Sequence, residues 1–158
     1  MRGLFSIVLA CELTAGCAAS SGFQPAEQSI IDRATSAELY ALQPEASENV
    51  GANASTAGQF HGHRVLGRAE LRGEERDALV DAARKAMASS DGRAAKCFLP
   101  RHGLRFEAQG KAVELAICFE CLQMKVFEGT SERTVLIGKD GEAALDAALA
   151  RHGLSKAP

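Results

Sequence analysis

Three cysteines and one histidine in the centre of the chain carry the side chains best suited to chemistry. Cys97, Cys118 and Cys121 can form a disulfide, bind a metal as thiolates or act as a redox pair. The disulfide is favoured, because the N-terminus described below predicts export and small exported domains rely on such crosslinks. With His102 the cysteines make the three-thiolate, one-imidazole set of structural zinc, which is the alternative. Such a closed site would support the fold and would not be catalytic.

The spacing of the cysteines indicates which pair forms. If residues 113–126 are one extended strand, Cys118 and Cys121 lie roughly 10 Å apart on opposite faces. That exceeds the limit of about 7 Å between the Cα atoms of a disulfide. A turn at Phe119-Glu120 would bring them together, but neither residue favours the positive φ that it requires. The hairpin register described below places Cys97 beside Cys121, and Cys97–Cys121 is therefore the favoured pair.

Redox chemistry at Cys118 and Cys121 is the third interpretation. A reactive Cys-x-x-Cys normally lies at a helix N-terminus, where the thiolate is stabilised. Here apolar, strand-like sequence flanks both cysteines. The context therefore argues against a redox enzyme.

The residues around the cysteines form a recognisable pattern. Cys97-Phe98-Leu99-Pro100-Arg101-His102-Gly103-Leu104, followed by Cys118-Phe119-Glu120-Cys121-Leu122, resembles a motif of small uncharacterised bacterial secreted proteins and lipoproteins. The resemblance covers about the central third of the chain. It implies that these residues share one local structure, and it names no activity.

Other polar residues have simpler interpretations. His61 and His63 can bind a metal or titrate near neutral pH, but no third ligand is near in sequence, and they are interpreted as polar residues entering a strand. Glu114 and Glu120 are interpreted as solvated carboxylates. His102 could act as a general base, but no serine or carboxylate has a recognisable relation to it. The sequence therefore predicts no catalytic residues, and a non-enzymatic role is favoured.

The N-terminus predicts where the protein is located. Arg2 is followed by an apolar stretch, residues 4–10, and by Leu13-Thr14-Ala15-Gly16-Cys17. This resembles the lipobox of bacterial lipoproteins. The resemblance implies that residues 1–16 are a signal peptide and that Cys17 is lipidated. The expected location is the bacterial cell envelope, with the membrane-anchored protein facing the periplasm.

Two other interpretations of the N-terminus stay open. Cys11 also follows a lipobox-like run, although its apolar stretch would be short. Alternatively, Cys17-Ala18-Ala19 ends an ordinary secretory signal, which would release a soluble protein. The apolar run is far shorter than the ~20 residues that a membrane-spanning helix needs.

Composition limits the partners. The formal net charge is −2, so no basic excess is available to bind nucleic acid. The chain has no Trp and one Tyr, and aromatic platforms for bases or sugars are therefore scarce. The expected partners are the membrane, through the lipid, and an envelope protein, with no cofactor except in the zinc alternative.

The elements that must position these residues predict an α+β fold. Residues 17–34 are expected to be a lipidated flexible tether, and residues 35–158 a single domain with an antiparallel sheet of about 4–6 strands and two helices on one face. The first predicted helix starts after Gly73 and ends at Asp91-Gly92. The second runs from about Gly141 to His152 and is expected to end in a Schellman motif, with Gly153 as its C′ residue and Leu154 touching Leu149. The predicted strands are residues 37–42, which Pro44 is expected to end, residues 59–71, a region within residues 97–127, and residues 134–137.

One strand register can be predicted in detail. If Gln109-Gly110 is a two-residue turn, apolar residues of the two flanking strands face each other. A shift by one residue would place apolar residues against polar ones, so the first register is favoured. The predicted pairs are Leu104 with Leu115, Phe106 with Val113, and Ala108 with Lys111.

Overall fold

The computed structural model describes residues 22–46 and 58–158, and it confirms the α+β class. The helices in these ranges are α1 (Pro25–Arg33), α2 (Gly73–Ala88) and α3 (Glu142–Arg151). The strands are β1 (Ser36–Ala46), β2 (Gln59–Phe60), β3 (His63–Arg72), β4 (His102–Ala108), β5 (Lys111–Cys118), β6 (Gln123–Glu128) and β7 (Ser131–Leu136). They form one antiparallel sheet in the order β2-β3-β1-β4-β5-β6-β7. The part described thus has seven strands and three helices, more than the 4–6 strands and two helices expected.

The sheet has apolar residues on both faces. Leu39, Leu104 and Leu115 are aligned across β1, β4 and β5, and all three are buried beneath the helices. Because strand side chains alternate, the neighbouring Tyr40 and Ala116 point the other way, into a second and smaller apolar cluster. We call this second side the open face, since the helices pack on the opposite one.

The predicted β4–β5 hairpin is confirmed. Gln109 and Gly110 both have positive φ, 54° and 73°, as a type I′ turn requires. The aligned pairs are Leu104 with Leu115, Phe106 with Val113, and Ala108 with Lys111. The turn residues and the apolar pattern favour the same register, which explains why the sequence alone predicts it.

The two predicted helices are present as α2 and α3. The apolar stripe of α2 is buried: Leu79, Val80, Ala83 and Met87. At the end of α3, Gly153 has φ 67°, and the Leu154 N–H donates to the Leu149 carbonyl at 2.9 Å. This is the predicted Schellman closure. Helix α2 ends at Ala88, a few residues before the predicted Asp91-Gly92 stop.

The structure differs from the predicted tether at residues 25–33, which form α1. Pro25 occupies its first turn, and Glu27 completes a capping box with Gln24. Ile30 and Ile31 are buried in the main core. Two adjacent apolar residues give little periodicity, so only their burial against the sheet reveals the helix.

Two strand boundaries also differ from expectation. Pro44 does not end β1, which continues to Ala46. Its pairing with β4 stops at Ala41, so the missing N–H of Pro44 breaks no bond on that side. The strand predicted over residues 59–71 is divided by a tight turn at His61 and Gly62, both with positive φ. His61 therefore lies in a turn and not in an extended strand.

We predict that Ile31→Ala destabilises the protein by about 2–5 kcal/mol, because it removes a side chain that is 0% exposed. Asp32→Ala, at an exposed neighbouring position, should change the free energy of unfolding by less than about 1 kcal/mol. Urea unfolding of both variants measures the difference. Equal stabilities would mean that α1 is not packed on the sheet.

Candidate functional site

The connection between α2 and β4, residues 89–101, passes the β5–β6 turn, packs Phe98 on the open face and carries Cys97. Hydrogen bonds tie it to the β5–β6 turn and to the first residue of β6, Gln123, whose side-chain amide also donates to the Ala95 carbonyl. The Ala95 N–H donates to the Cys121 carbonyl at 3.0 Å, and the Gln123 side-chain amide donates to the Cys97 carbonyl at 3.2 Å. Cys97 is thereby positioned beside Cys121, with a Cα separation of 5.7 Å.

The β5–β6 turn brings Cys118 to the same place. The chain does not continue extended beyond Cys118: it turns through residues 119–122 and begins β6 at Gln123. Leu122 has the positive φ, 56°, that the turn needs. The Cα atoms of Cys118 and Cys121 are 5.3 Å apart. The expectation that these two cysteines are too far apart is therefore wrong, because Leu122, and not Phe119 or Glu120, adopts the left-handed conformation.

All three cysteines thus meet at Cys121. Both Cα separations lie within the usual disulfide range of about 4.4–6.8 Å. The favoured pair, Cys97–Cys121, is at disulfide distance, and so is Cys118–Cys121. One sulfur forms only one disulfide at a time, so the two bonds are alternatives. Cys118 and Cys121 are buried, whereas Cys97 is exposed.

His102 does not join the cysteines. It is aligned with Ile117 in the β4–β5 ladder and faces the helices, whereas the next residue along β5, Cys118, points to the open face. In the described ranges, no set of three or more His, Cys, Asp or Glu residues is placed to hold a metal. The proposed zinc ligands are therefore divided between the two faces of the sheet.

His102 instead forms a dyad with Asp146 of α3. Its Nε2 lies 2.8 Å from an Asp146 carboxylate oxygen, and Lys156 Nζ lies 2.7 Å from the other. Burial lowers the pKa of His102, and Asp146 opposes that shift. His102 and Lys156 line a small cavity of about 20 Å³, and none of the described residues that line it is a Ser, Thr or Cys. The pair can hold or move a proton, but a neighbouring hydroxyl or thiol nucleophile is missing from this part of the structure.

A second polar cluster lies on the open face. His61 Nε2 is 2.8 Å from Glu114, and Arg105 donates to the other carboxylate oxygen at 2.7 Å. Burial alone would raise the pKa of Glu114, but the hydrogen bonds from His61 and Arg105 outweigh it and lower the pKa. The His61 ring stacks on Phe127 with centroids 3.5 Å apart. Glu114 is therefore a partly buried, paired carboxylate and not the solvated one expected, whereas Glu120 is exposed and pairs with Arg101.

Next to this cluster is an open groove of about 550 Å³. The polar side chains of the groove are largely paired. The Tyr40 hydroxyl donates to Glu38 at 2.7 Å, and the Arg68 guanidinium lies 3.5 Å from the same carboxylate. Burial and the neighbouring Glu38 raise the pKa of Tyr40. Leu66, 41% exposed, adds an apolar patch. The lining residues are Glu38, Tyr40, Gly58, Gln59, Val65, Leu66, Gly67, Arg68, Arg105 and Glu114. The sequence does not predict this groove, because its lining residues come from several strands that are far apart in the chain.

The predicted lipidation site Cys17, the alternative Cys11 and the signal peptide, residues 1–16, lie outside the described residues. None of the helices in residues 22–46 and 58–158 is long and apolar enough to cross a membrane.

The fold and the cysteine cluster define a small α+β domain with cysteines at disulfide distance on the open face of its sheet. Comparison with models of known families, with curated proteins and with solved structures finds no match to this chain. The functional argument therefore depends on the residues themselves.

We predict that stability falls as the pH drops from 7 to 5. Burial lowers the pKa values of His63 and His102, so the folded protein keeps both side chains neutral. In the unfolded chain the same histidines bind protons below their ordinary pKa of about 6.5. Each histidine can contribute at most about 1.4 kcal/mol per pH unit. Urea unfolding at several pH values measures this slope.

Replacing either buried histidine by glutamine should reduce the slope, and His152→Gln at an exposed position is the matched control. A wild-type stability that is constant from pH 7 to 5 would contradict the prediction.

Proposed function

We propose that this protein is a lipid-anchored domain of the bacterial cell envelope that acts by binding a partner protein and not by catalysis. The observation that carries the proposal is the set of cysteines at disulfide distance, because disulfides persist in oxidising compartments outside the cytoplasm. The lipobox-like leader points to the same compartment. In this proposal Cys17 anchors the chain, and residues 18–24 connect the lipid to α1.

The anchor is tested by expressing the full chain in a bacterium fed with an alkyne fatty acid. The wild-type protein should incorporate the label and fractionate with membranes. Cys17→Ser should abolish both properties, whereas Cys11→Ser should keep them, because Cys11 would be removed with the leader. Label that survives Cys17→Ser and disappears in Cys11→Ser would place the anchor at Cys11. Unlabelled, soluble wild-type protein would support the secretory alternative.

The binding surface in this proposal is the groove on the open face. The opposite face is covered by α1, α2 and α3, whereas the groove offers the exposed Leu66 beside paired charges of both signs. A mixed apolar and polar surface of this kind suits a protein partner. The zinc alternative is not part of the proposal, because its histidine and cysteines face opposite sides of the sheet.

The groove is tested with a photoreactive amino acid placed at Leu66 or Arg68 of the full chain in intact envelopes. We expect a reproducible crosslinked partner from both positions. The control position is Lys85, an exposed residue on α2. Crosslinks from Lys85 only, or from none of the three positions, would contradict the proposed surface. Turnover of a substrate by the purified protein would contradict the non-catalytic role.

A further inference from the structure

Cys121 is the shared partner of two possible disulfides. Its Cα atom lies 5.7 Å from that of Cys97 and 5.3 Å from that of Cys118. Either bond is compatible with the same backbone, because both separations fall within the range of ordinary disulfides. The chain can therefore hold one disulfide and one thiol in two arrangements without moving β5, β6 or the 89–101 connection.

The two arrangements differ in which thiol is accessible. When Cys97 is bonded to Cys121, the remaining thiol is Cys118, whose residue is 1% exposed. When Cys118 is bonded to Cys121, the remaining thiol is Cys97, which is exposed. Reagents in solution react with accessible thiolates. The first arrangement hides the thiol, and the second presents it.

We propose that the three cysteines interconvert by thiol–disulfide exchange and that the released Cys97 is a covalent binding site for a low-molecular-weight disulfide. In the exchange, the Cys118 thiolate attacks the sulfur of Cys121, the Cys97–Cys121 bond breaks and the Cys118–Cys121 bond forms. Cys97 leaves as a thiolate. One disulfide is present before and after, so the step needs no oxidant or reductant.

Contacts in the cluster favour this exchange. The backbone N–H of Cys121 donates to the sulfur of Cys118 at 3.1 Å, a contact that stabilises negative charge on the attacking atom. The hydrogen bonds from Ala95 and Gln123 hold Cys97 and Cys121 beside each other. Proximity of this kind makes the exchange intramolecular and fast relative to reaction with a free thiol.

The binding step is a second exchange. The Cys97 thiolate attacks one sulfur of an external disulfide, forms a mixed disulfide with that half and releases the other half as a thiolate. The atoms and electrons balance, since one disulfide is consumed and one is formed. The site accepts the ligand only in the arrangement that bonds Cys118 to Cys121.

The first test maps the bonds in the full chain, purified in detergent without reductant. Free thiols are blocked at low pH, and the chain is then unfolded and cleaved after lysine, arginine and glutamate. Arg101 and Glu120 separate the three cysteines onto different peptides. We expect both Cys97–Cys121 and Cys118–Cys121 peptides from one sample. A single linkage would overturn the proposed exchange.

The second test incubates the same protein with oxidised glutathione at pH 8. We expect Cys97 to be converted to the glutathione mixed disulfide while the Cys97–Cys121 peptide disappears and Cys118–Cys121 accumulates. Cys118→Ser and Cys97→Ser should give no adduct, because each variant retains only one bond and no free thiol. An unmodified wild-type protein, or an adduct on Cys118, would overturn the proposal. The linkages mapped in the wild-type protein test the proposal without the variants, so a variant that fails to fold does not invalidate the result.

Discussion

The central strands carry apolar side chains on both faces of the sheet, whereas the helices cover only one, and the arrangement of the open face follows from this imbalance. Residues such as Tyr40 and Ala116 need other cover. The β2–β3 turn supplies part of it, because the sheet curls until His61 stacks on Phe127 of β6. The 89–101 connection supplies the rest, with Phe98 packed against the same cluster. Gly103 leaves room for this packing: a Cβ there would lie 3.0 Å from the Phe60 ring.

Covering the open face also partly buries a charged side chain, Glu114, which must then be paired. Glu114 lies in the middle of the sheet and loses water when the turn folds over it. A buried carboxylate without partners would be strongly unfavourable. Arg105 and His61 supply the hydrogen bonds that keep its pKa low. The same contacts hold the β2–β3 turn in place, so packing and electrostatics support each other.

The cysteines lie where the 89–101 connection meets the open face. A bond from Cys97 to Cys121 attaches that connection to the sheet, and a bond from Cys118 to Cys121 closes only the short β5–β6 turn. The first constrains the unfolded chain more, since it closes a longer loop, with a sequence separation of 24 against 3. The second leaves the connection held by hydrogen bonds and by Phe98, over whose ring Lys125 lies at 5.0 Å. The covalent state of the cluster thus decides how firmly one cover of the open face is attached.

Features that depend on neighbouring residues are predictable from the sequence: the α+β class, helices α2 and α3, and the β4–β5 register, where turn residues and the apolar pattern agree. The remaining features depend on contacts between residues that are distant in the chain. Helix α1 depends on burying Ile30 and Ile31, the dyad joins His102 to Asp146 across 44 positions, and Glu114 finds His61 only because the sheet curls. The three cysteines came together because Leu122 takes a left-handed conformation, which its side chain disfavours and which the closure of the β5–β6 turn imposes.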